Sequence, residues 1–306
     1  MKTERRIFVT GGTGFFGKSM LDYRLRHPEW EWAHAKWVVL SRSPDRFKRE
    51  CPILAEQEGV SFISGDVRNF VLTDGGRFDA IIHAATSVDA MSSDEDTMDV
   101  IVGGTERVIH FARSIDCRKI LFASSGAVYG HRYSPASEDD ECVPATAYGK
   151  GKLAAERMLI ESGLDVKIAR CFAFVGPYLP LKGHYAIGNF IQDCLDGGSI
   201  VINGDGTPLR SYLYADDLVE WLFAILDMGR CNRVYNVGSA SGISIADLAV
   251  KVTEALAASN RIVVKGRSLC AGPEVYVPVV DRIVRELGVQ ERFTLEDAIR
   301  NSVSKA

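Results

Sequence analysis

Residues Ile7-Phe8-Val9-Thr10-Gly11-Gly12-Thr13-Gly14-Phe15-Phe16-Gly17 constrain this chain more than any other stretch. The apolar run from Ile7 reads as a buried strand, and the glycines at 11, 14 and 17 turn it sharply into a helix. Such a turn lets backbone N–H groups approach an anion, and the partial positive charge of a helix N-terminus favours a pyrophosphate there. Far downstream, Tyr148-Gly149-Lys150-Gly151-Lys152 puts a phenol and an ammonium four residues apart, on one face of a helix. A glycine-rich turn alone is a weak signal. Joined to Tyr-x-x-x-Lys it points to redox chemistry on a nicotinamide dinucleotide.

The rest of the composition narrows the class. With 306 residues, 46% of them hydrophobic, the chain can bury a sizeable core. A formal charge of −4 argues against general nucleic-acid binding. No stretch approaches the roughly 18 uninterrupted apolar residues of a membrane span, and Lys2-Thr3-Glu4-Arg5-Arg6 runs straight into a strand. Cys51, Cys117, Cys142, Cys171, Cys194, Cys231 and Cys270 are scattered and never spaced as Cys-x-x-Cys. That suits reduced thiols, with no disulfide framework and no metal site. The expectation is a cytoplasmic globular protein.

Strands are expected at Ile7–Thr10, Trp37–Leu40, Val60–Ser64, Ala80–His83, Lys119–Ser124 and Val166–Phe172, separated by helical patterns. Several lack in/out alternation, as strands covered on both faces do. The expected fold is α/β, a Rossmann-type doubly wound parallel sheet with a smaller C-terminal lobe. After Gly176-Pro177 the pattern turns irregular, then resumes with helices near Ala215–Met228, Ile245–Ala258 and Thr294–Val303 and a strand at Val234–Val237. Residues 1–175 plus about 212–238 would form the nucleotide-binding domain, and 176–211 plus 239–306 the substrate lobe. Trp30, Trp32 and Trp37 are expected to cover the end of the first helix and the start of the second strand.

In the first half, Gly11, Thr13, Gly14, Phe15, Phe16 and Gly17 are the residues expected to hold the dinucleotide. Strand Val38-Val39-Leu40 ends in Ser41-Arg42-Ser43, without the acid that would hold a ribose 2′-OH. Ser41 and Arg42 instead suit a 2′-phosphate, with Arg46 to assist, so NADP(H) is favoured and NAD(H) is the alternative. Asp66, beside Val67, ends the third strand and can accept from the adenine amino group. His83-Ala84-Ala85 ends the fourth, with small residues at Ala84 and Ala85 where the dinucleotide passes close. His83 itself reads as a hydrogen-bonded structural histidine.

With these residues in hand, the chain resembles the extended short-chain dehydrogenases/reductases of the nucleotide-sugar epimerase, dehydratase and reductase group. The resemblance covers nearly the whole length. It rests on Thr10–Gly17, Gly65-Asp66-Val67, His83-Ala84-Ala85, Ser124-Ser125-Gly126-Ala127-Val128-Tyr129-Gly130 and Tyr148/Lys152. It continues through Arg170-Cys171-Phe172, Val175-Gly176-Pro177, Gly204-Asp205-Gly206, Arg210-Ser211-Tyr212-Leu213-Tyr214-Ala215-Asp216-Asp217 and Tyr235-Asn236-Val237-Gly238. The resemblance implies Tyr148 as general acid/base, Lys152 lowering its pKa and holding the nicotinamide ribose, and Ser125 bonding the reacting oxygen. It implies a nucleotide-sugar substrate whose diphosphate meets Asn189 and Arg210, with His184 a further substrate contact, and a homodimer.

Departures from the family pattern sharpen this. Dehydratases of the group carry an Asp-Glu pair where this chain has Gly126-Ala127, and reductases that also epimerise use a cysteine near Gly126 that is missing here. Family asparagines are replaced by Ile101 and Ala173. These losses, with the expected preference for NADP(H), favour reduction of a nucleotide-linked 4-keto-6-deoxyhexose at C4. A nucleotide-sugar 4-epimerase with retained NAD is the alternative, a 4,6-dehydratase a more distant one, and a non-catalytic NADP(H) sensor the reading from another class. Dimerisation is expected through the segment Thr97–Ser114 (Val100, Ile101, Val108, Ile109, Phe111) and the Tyr148 helix (Leu153, Met158, Leu159, Ile160), whose apolar surface exceeds one packed face.

Overall fold

Strand and helix alternate from the first element of the computed structural model, which describes residues 5–72, 76–86, 93–183, 185–266 and 272–304. In order come β1 (Arg6–Thr10), α1 (Phe15–Arg26), β2 (Lys36–Ser41), α2 (Pro44–Glu50), α3 (Pro52–Ala55), β3 (Val60–Ser64) and β4 (Ala80–His83). Then follow α4 (Asp94–Ser114), β5 (Lys119–Ser125), α5 (Ala147–Glu161), β6 (Asp165–Cys171), β7 (Phe174–Val175), α6 (Ala186–Leu195) and β8 (Ile200–Ile202). The remainder is β9 (Leu209–Arg210), β10 (Leu213–Tyr214), α7 (Ala215–Met228), β11 (Arg233–Val237), β12 (Ile243–Ser244), α8 (Ile245–Ala255), β13 (Ile262–Val264), β14 (Val275–Tyr276), α9 (Asp281–Leu287) and α10 (Leu295–Val303).

Seven strands form one sheet in the order β11-β6-β5-β4-β1-β2-β3. β1 pairs in parallel with β2 and with β4, β2 with β3, and β4 with β5. The chain order reverses between β1 and β4, the switch point where such sheets leave a crevice for a ligand. This is the α/β Rossmann-type architecture expected from the pattern, and the six expected strands lie within a residue of their bounds. Alternation is absent because both faces are covered: Ile7, Phe8, Val9 and Thr10 are all buried. On one face Phe8 packs against Phe111 of α4 at 4.8 Å and against Phe70 at 5.3 Å. Each such buried ring stabilises the fold by about 1.5–3 kcal/mol.

Two local readings shift. α4 begins at Asp94, ahead of the segment around Thr97–Ser114, because the Ser93 hydroxyl accepts from the Asp96 N–H and Asp94, Glu95 and Asp96 suit the positive end of the helix. The tryptophans cover α1 together with α7. Trp30 stands edge-on to Tyr23 at 5.2 Å and to Phe223 at 4.4 Å, and Trp32 donates to Asp227.

By its contacts the chain divides into two units, Met1–Gly130, Cys142–Arg170 and Leu222–Tyr235 in one, His131–Glu141, Cys171–Trp221 and Asn236–Ala306 in the other. Residues 131–141, 171–175, 212–221 and 236–238, assigned from sequence to the nucleotide domain, group with the second unit. There Asn236 donates to the Ala136 carbonyl and Arg282 pairs with Asp139. In that unit β9 pairs with β12 and β14, β8 with β13, and β7 with β10.

Much of the apolar surface counted towards a dimer is already covered within the chain, where α4 and α5 pack on each other. Ile101, Val108, Ile109, Phe111 and Leu159 are buried, Val100, Leu153 and Met158 half-buried, and Ile160 exposed.

Candidate active site

The glycines of the β1–α1 turn each meet a different demand. Gly11 has φ +75°, and a Cβ there would lie 2.5 Å from the Ala84 carbonyl. Gly17 lets α1 settle onto the turn: its Cβ would lie 2.1 Å from the Gly12 carbonyl carbon. Above Gly14 the space is open, the nearest atom to a Cβ being the Gly11 oxygen at 3.5 Å. Gly14 caps α1 without a side-chain hydrogen bond, and the first turn holds no acid. Flanked by half-buried Thr13, Phe15 and Phe16, this end of α1 carries the partial positive charge that favours an anion. The cradle fits a dinucleotide pyrophosphate.

At the end of β2, the Ser41 hydroxyl accepts from the Ser43 N–H at 3.2 Å, and Arg42 is exposed. Arg46 pairs with Glu50 one turn along α2 at 2.7 Å, an exposed pair that a stronger anion can displace. Asp66 takes the Arg68 Nε and Nη2 and the Arg68 backbone N–H, and the Arg68 bonds hold its carboxyl below the usual range. Adenine would therefore compete with Arg68 for those oxygens. Val67 turns its side chain into the core against Gly104, so contact with a ligand falls to its backbone.

His83 is buried in a directed chain of hydrogen bonds. The Thr105 hydroxyl donates to the Ile101 carbonyl at 2.7 Å and so accepts from His83 Nε2–H at 3.0 Å. Nδ1 then accepts from the Thr10 hydroxyl at 2.8 Å, which itself accepts from the Ala85 N–H at 3.2 Å. The imidazole ties the ends of β1 and β4 together at the switch point and sets the backbone of Ala84 and Ala85. Burial, then the Lys152 charge, push its pKa down to about 3. Between that value and an unfolded value of about 6.5 the unfolded chain binds a proton that the folded chain refuses. The contribution is present at neutral pH and lost as pH falls through this window. We expect urea midpoints to drop from pH 6.5 towards 4, and His83→Asn to flatten that slope; an unchanged slope would remove His83 as its cause.

Ser125 closes β5 and caps the turn Gly126–Tyr129, its hydroxyl accepting from the Ala127 N–H at 3.1 Å. α5 starts one residue before Tyr148, capped by Thr146, which accepts from the Gly149 N–H. A Cβ on Gly149 would lie 2.6 Å from the Ala127 oxygen, so the Tyr148 turn of the helix sits directly on the Ser125 turn. One turn on, Lys152 is buried, donates to the Ala123 carbonyl at 2.8 Å and stands 5.8 Å from the Tyr148 ring centre. Ser125, Tyr148 and Lys152 are thus gathered at one end of β5. Glu156, a further turn along, was missed from sequence; its signal was the same four-residue spacing repeated.

In the second unit the nominated residues are already engaged. The Asn189 amide donates to the Gly183 carbonyl and accepts from the Gly183 N–H, clamping a loop. Arg210 donates to the Leu209 carbonyl and to Glu274 Oε2, both at 2.9 Å. Burial opposes the Glu274 charge, but Arg210 and His131 hold its carboxyl below the usual range. His184 lies outside the described residues. A cavity of about 480 Å³ in this unit, lined by Tyr212, Ser239, Glu291, Arg292 and Phe293 among others, contains none of the nominated residues.

Known proteins resemble this chain over most of its length. UDP-glucuronic acid decarboxylase 1 of Xenopus tropicalis is 26% identical over 271 residues, 85% of this chain, which spans 62% of that protein's length. A putative UDP-glucose 4-epimerase of Methanocaldococcus jannaschii is 27% identical over 97% of both chains. The crystal structure of dTDP-glucose 4,6-dehydratase from Streptomyces venezuelae with NAD bound superposes with a TM-score of 0.80, at 26% identity over 97% of this chain and 95% of that one. The model of one family matches from the first sheet strand to the residue after the last, 7–238, and by that match this chain belongs to the NAD dependent epimerase/dehydratase family, within the extended short-chain dehydrogenases/reductases.

Proposed function

We propose that this protein reduces a nucleotide-linked 4-keto-6-deoxyhexose at C4 with NADPH. The observation that carries the reading is the end of β2, where Ser41 and an exposed Arg42 stand in place of a ribose-binding acid. A guanidinium there favours the phosphorylated dinucleotide, the form suited to net reduction. Gly126-Ala127 at the turn after Ser125 supplies no second acid and base, which argues against dehydration.

The residues divide the work as follows. Gly11, Gly14, Gly17 and the start of α1 hold the pyrophosphate. Bound there, the dinucleotide supplies the hydride. Tyr148 delivers the phenolic proton to O4, so ketone, hydride and proton balance to the alcohol. Lys152 stabilises the phenolate left behind, and Ser125 orients the oxygen. Arg210, steadied by Glu274, offers a guanidinium to the substrate diphosphate. A cytoplasmic setting belongs to the same reading.

The deciding experiment incubates the protein with a panel of nucleotide 4-keto-6-deoxyhexoses and NADPH, following absorbance and identifying product by NMR. Stoichiometric loss of NADPH with a 4-hydroxy product supports the reading. Interconversion of UDP-glucose and UDP-galactose without net NADPH loss would replace it with the 4-epimerase, the second reading, which the Methanocaldococcus jannaschii relative favours.

Arg42→Ala is expected to raise KM for NADPH roughly 10- to 150-fold, the effect of a lost hydrogen bond to a charged group, and to leave KM for NADH nearly unchanged. Equal effects on both cofactors would show a merely solvated guanidinium. We also infer an isologous dimer through α4 and α5, using the Val100, Leu153, Met158 and Ile160 surface left over from packing within the chain. Sedimentation equilibrium at micromolar concentration should give twice 33.6 kDa; the single mass would sink it.

A further inference from the structure

Three residues of α5 recur at one-turn intervals on the face that meets the sheet: Tyr148, Lys152 and Glu156. The last two reach successive residues of one strand. Lys152 donates to the Ala123 carbonyl, and the Ser124 hydroxyl donates to Glu156 Oε1. Consecutive helical turns are thereby tied to consecutive strand residues, immediately before Ser125. A helix slipped by one turn, about 5.4 Å, would lose both ties.

The carboxylate is also gripped from the next strand. Arg170 of β6 gives Nη2 to Glu156 Oε2 at 2.7 Å and Nε to Oε1 at 3.0 Å, a bidentate pair. The guanidinium lies 4.9 Å from the ring centre of Tyr129, the last residue of the turn that Ser125 caps. Ser124, Glu156 and Arg170 are all buried. Buried ion pairs add little net stability compared with apolar packing of the same volume, but they are directional. A cluster linking β5, β6, α5 and the Ser125 turn therefore supplies register more than strength.

We propose that Glu156 is a positioning residue, which with Ser124 and Arg170 locks α5 on β5 in the one register that sets Tyr148 and Lys152 against the Ser125 turn. The inference rests on the reductase reading for its chemistry, though not for its geometry.

Ser124→Ala is the informative variant, because it removes the tie to the strand and keeps both charges of the Glu156–Arg170 pair. Glu156→Gln also strands the Arg170 charge and is expected to lower stability as well. In Ser124→Ala, kcat should fall by about 10- to 100-fold, the cost of misplacing reacting groups by an ångström or less. KM for the keto sugar should stay within about twofold, since this cluster does not hold it. The tyrosinate titration assigned to Tyr148, as the absorbance difference between wild type and Tyr148→Phe, should move to higher pH as Lys152 loosens. Ser124→Thr, which keeps the hydroxyl, should restore both. Unchanged kcat and an unchanged titration in Ser124→Ala would overturn the proposal, whatever happens to the unfolding midpoint. If the wild type turns over no member of the sugar panel, the reductase reading fails, and the titration alone decides the role of Glu156.

Discussion

Tyr148→Phe is expected to bind the dinucleotide normally and to lose turnover by about 10²–10⁴-fold, the range for removing a positioned general acid. The substitution deletes one oxygen and leaves the ring that packs beside the core. Lys152 keeps its bond to the Ala123 carbonyl, so its contact with a nicotinamide ribose should survive. On the proposed reading, what disappears is the proton for O4. Measured kcat at saturation should fall while the dinucleotide dissociation constant, read by fluorescence titration, stays within about twofold of wild type. Activity within tenfold of wild type would take Tyr148 out of the mechanism.

Gly17→Ala should do comparable damage by another route. The new Cβ would lie 2.1 Å from the Gly12 carbonyl carbon and oxygen and 2.2 Å from its Cα. All three are backbone atoms of the turn itself, so no side chain can rotate away and α1 must lift off. We expect a loss of about 3 kcal/mol in urea unfolding, the upper end of the cost of overpacking, together with loss of dinucleotide binding. Gly14→Ala is the contrasting control. Its φ is −85° and its Cβ meets nothing closer than 3.5 Å, so stability should hold while the methyl intrudes where a pyrophosphate would lie. A Gly17→Ala protein with an unchanged midpoint would contradict the close approach of α1 to the turn.

How much of this was legible beforehand follows the range of the interactions. The six strands and the α7 helix were readable because apolar runs and helical spacing are properties of neighbouring residues. The β1–α1 turn and the Tyr148/Lys152 face were readable for the same reason. Even Gly149, an unfavourable residue inside a helix, was a visible hint of close approach, although only the fold shows that Ala127 is what it approaches. The start of α4 at Asp94 was harder to read, because the Ser93 cap carries no apolar signal.

Partners distant in the chain were another matter. His83 is joined to Thr10 across 73 positions, Arg210 to Glu274 across 64, and Ser124 to Glu156 across 32. Arg46 and Asp66 were nominated for a ligand from sequence, and only the structure shows their pairing with Glu50 and Arg68. A charged or hydroxyl side chain announces that it needs a partner but not which one. The sequence by itself determined the strand–helix alternation, the glycine cradle and the phenol–ammonium pair, all built from residues within a few positions of each other. Tertiary structure decided the rest: that β1 lies beside β4, that α5 rides on the end of β5, and therefore which carboxylate, hydroxyl and guanidinium meet. Sheet order brings those groups together, and sheet order depends on burial summed over the whole chain, which no short stretch of residues contains.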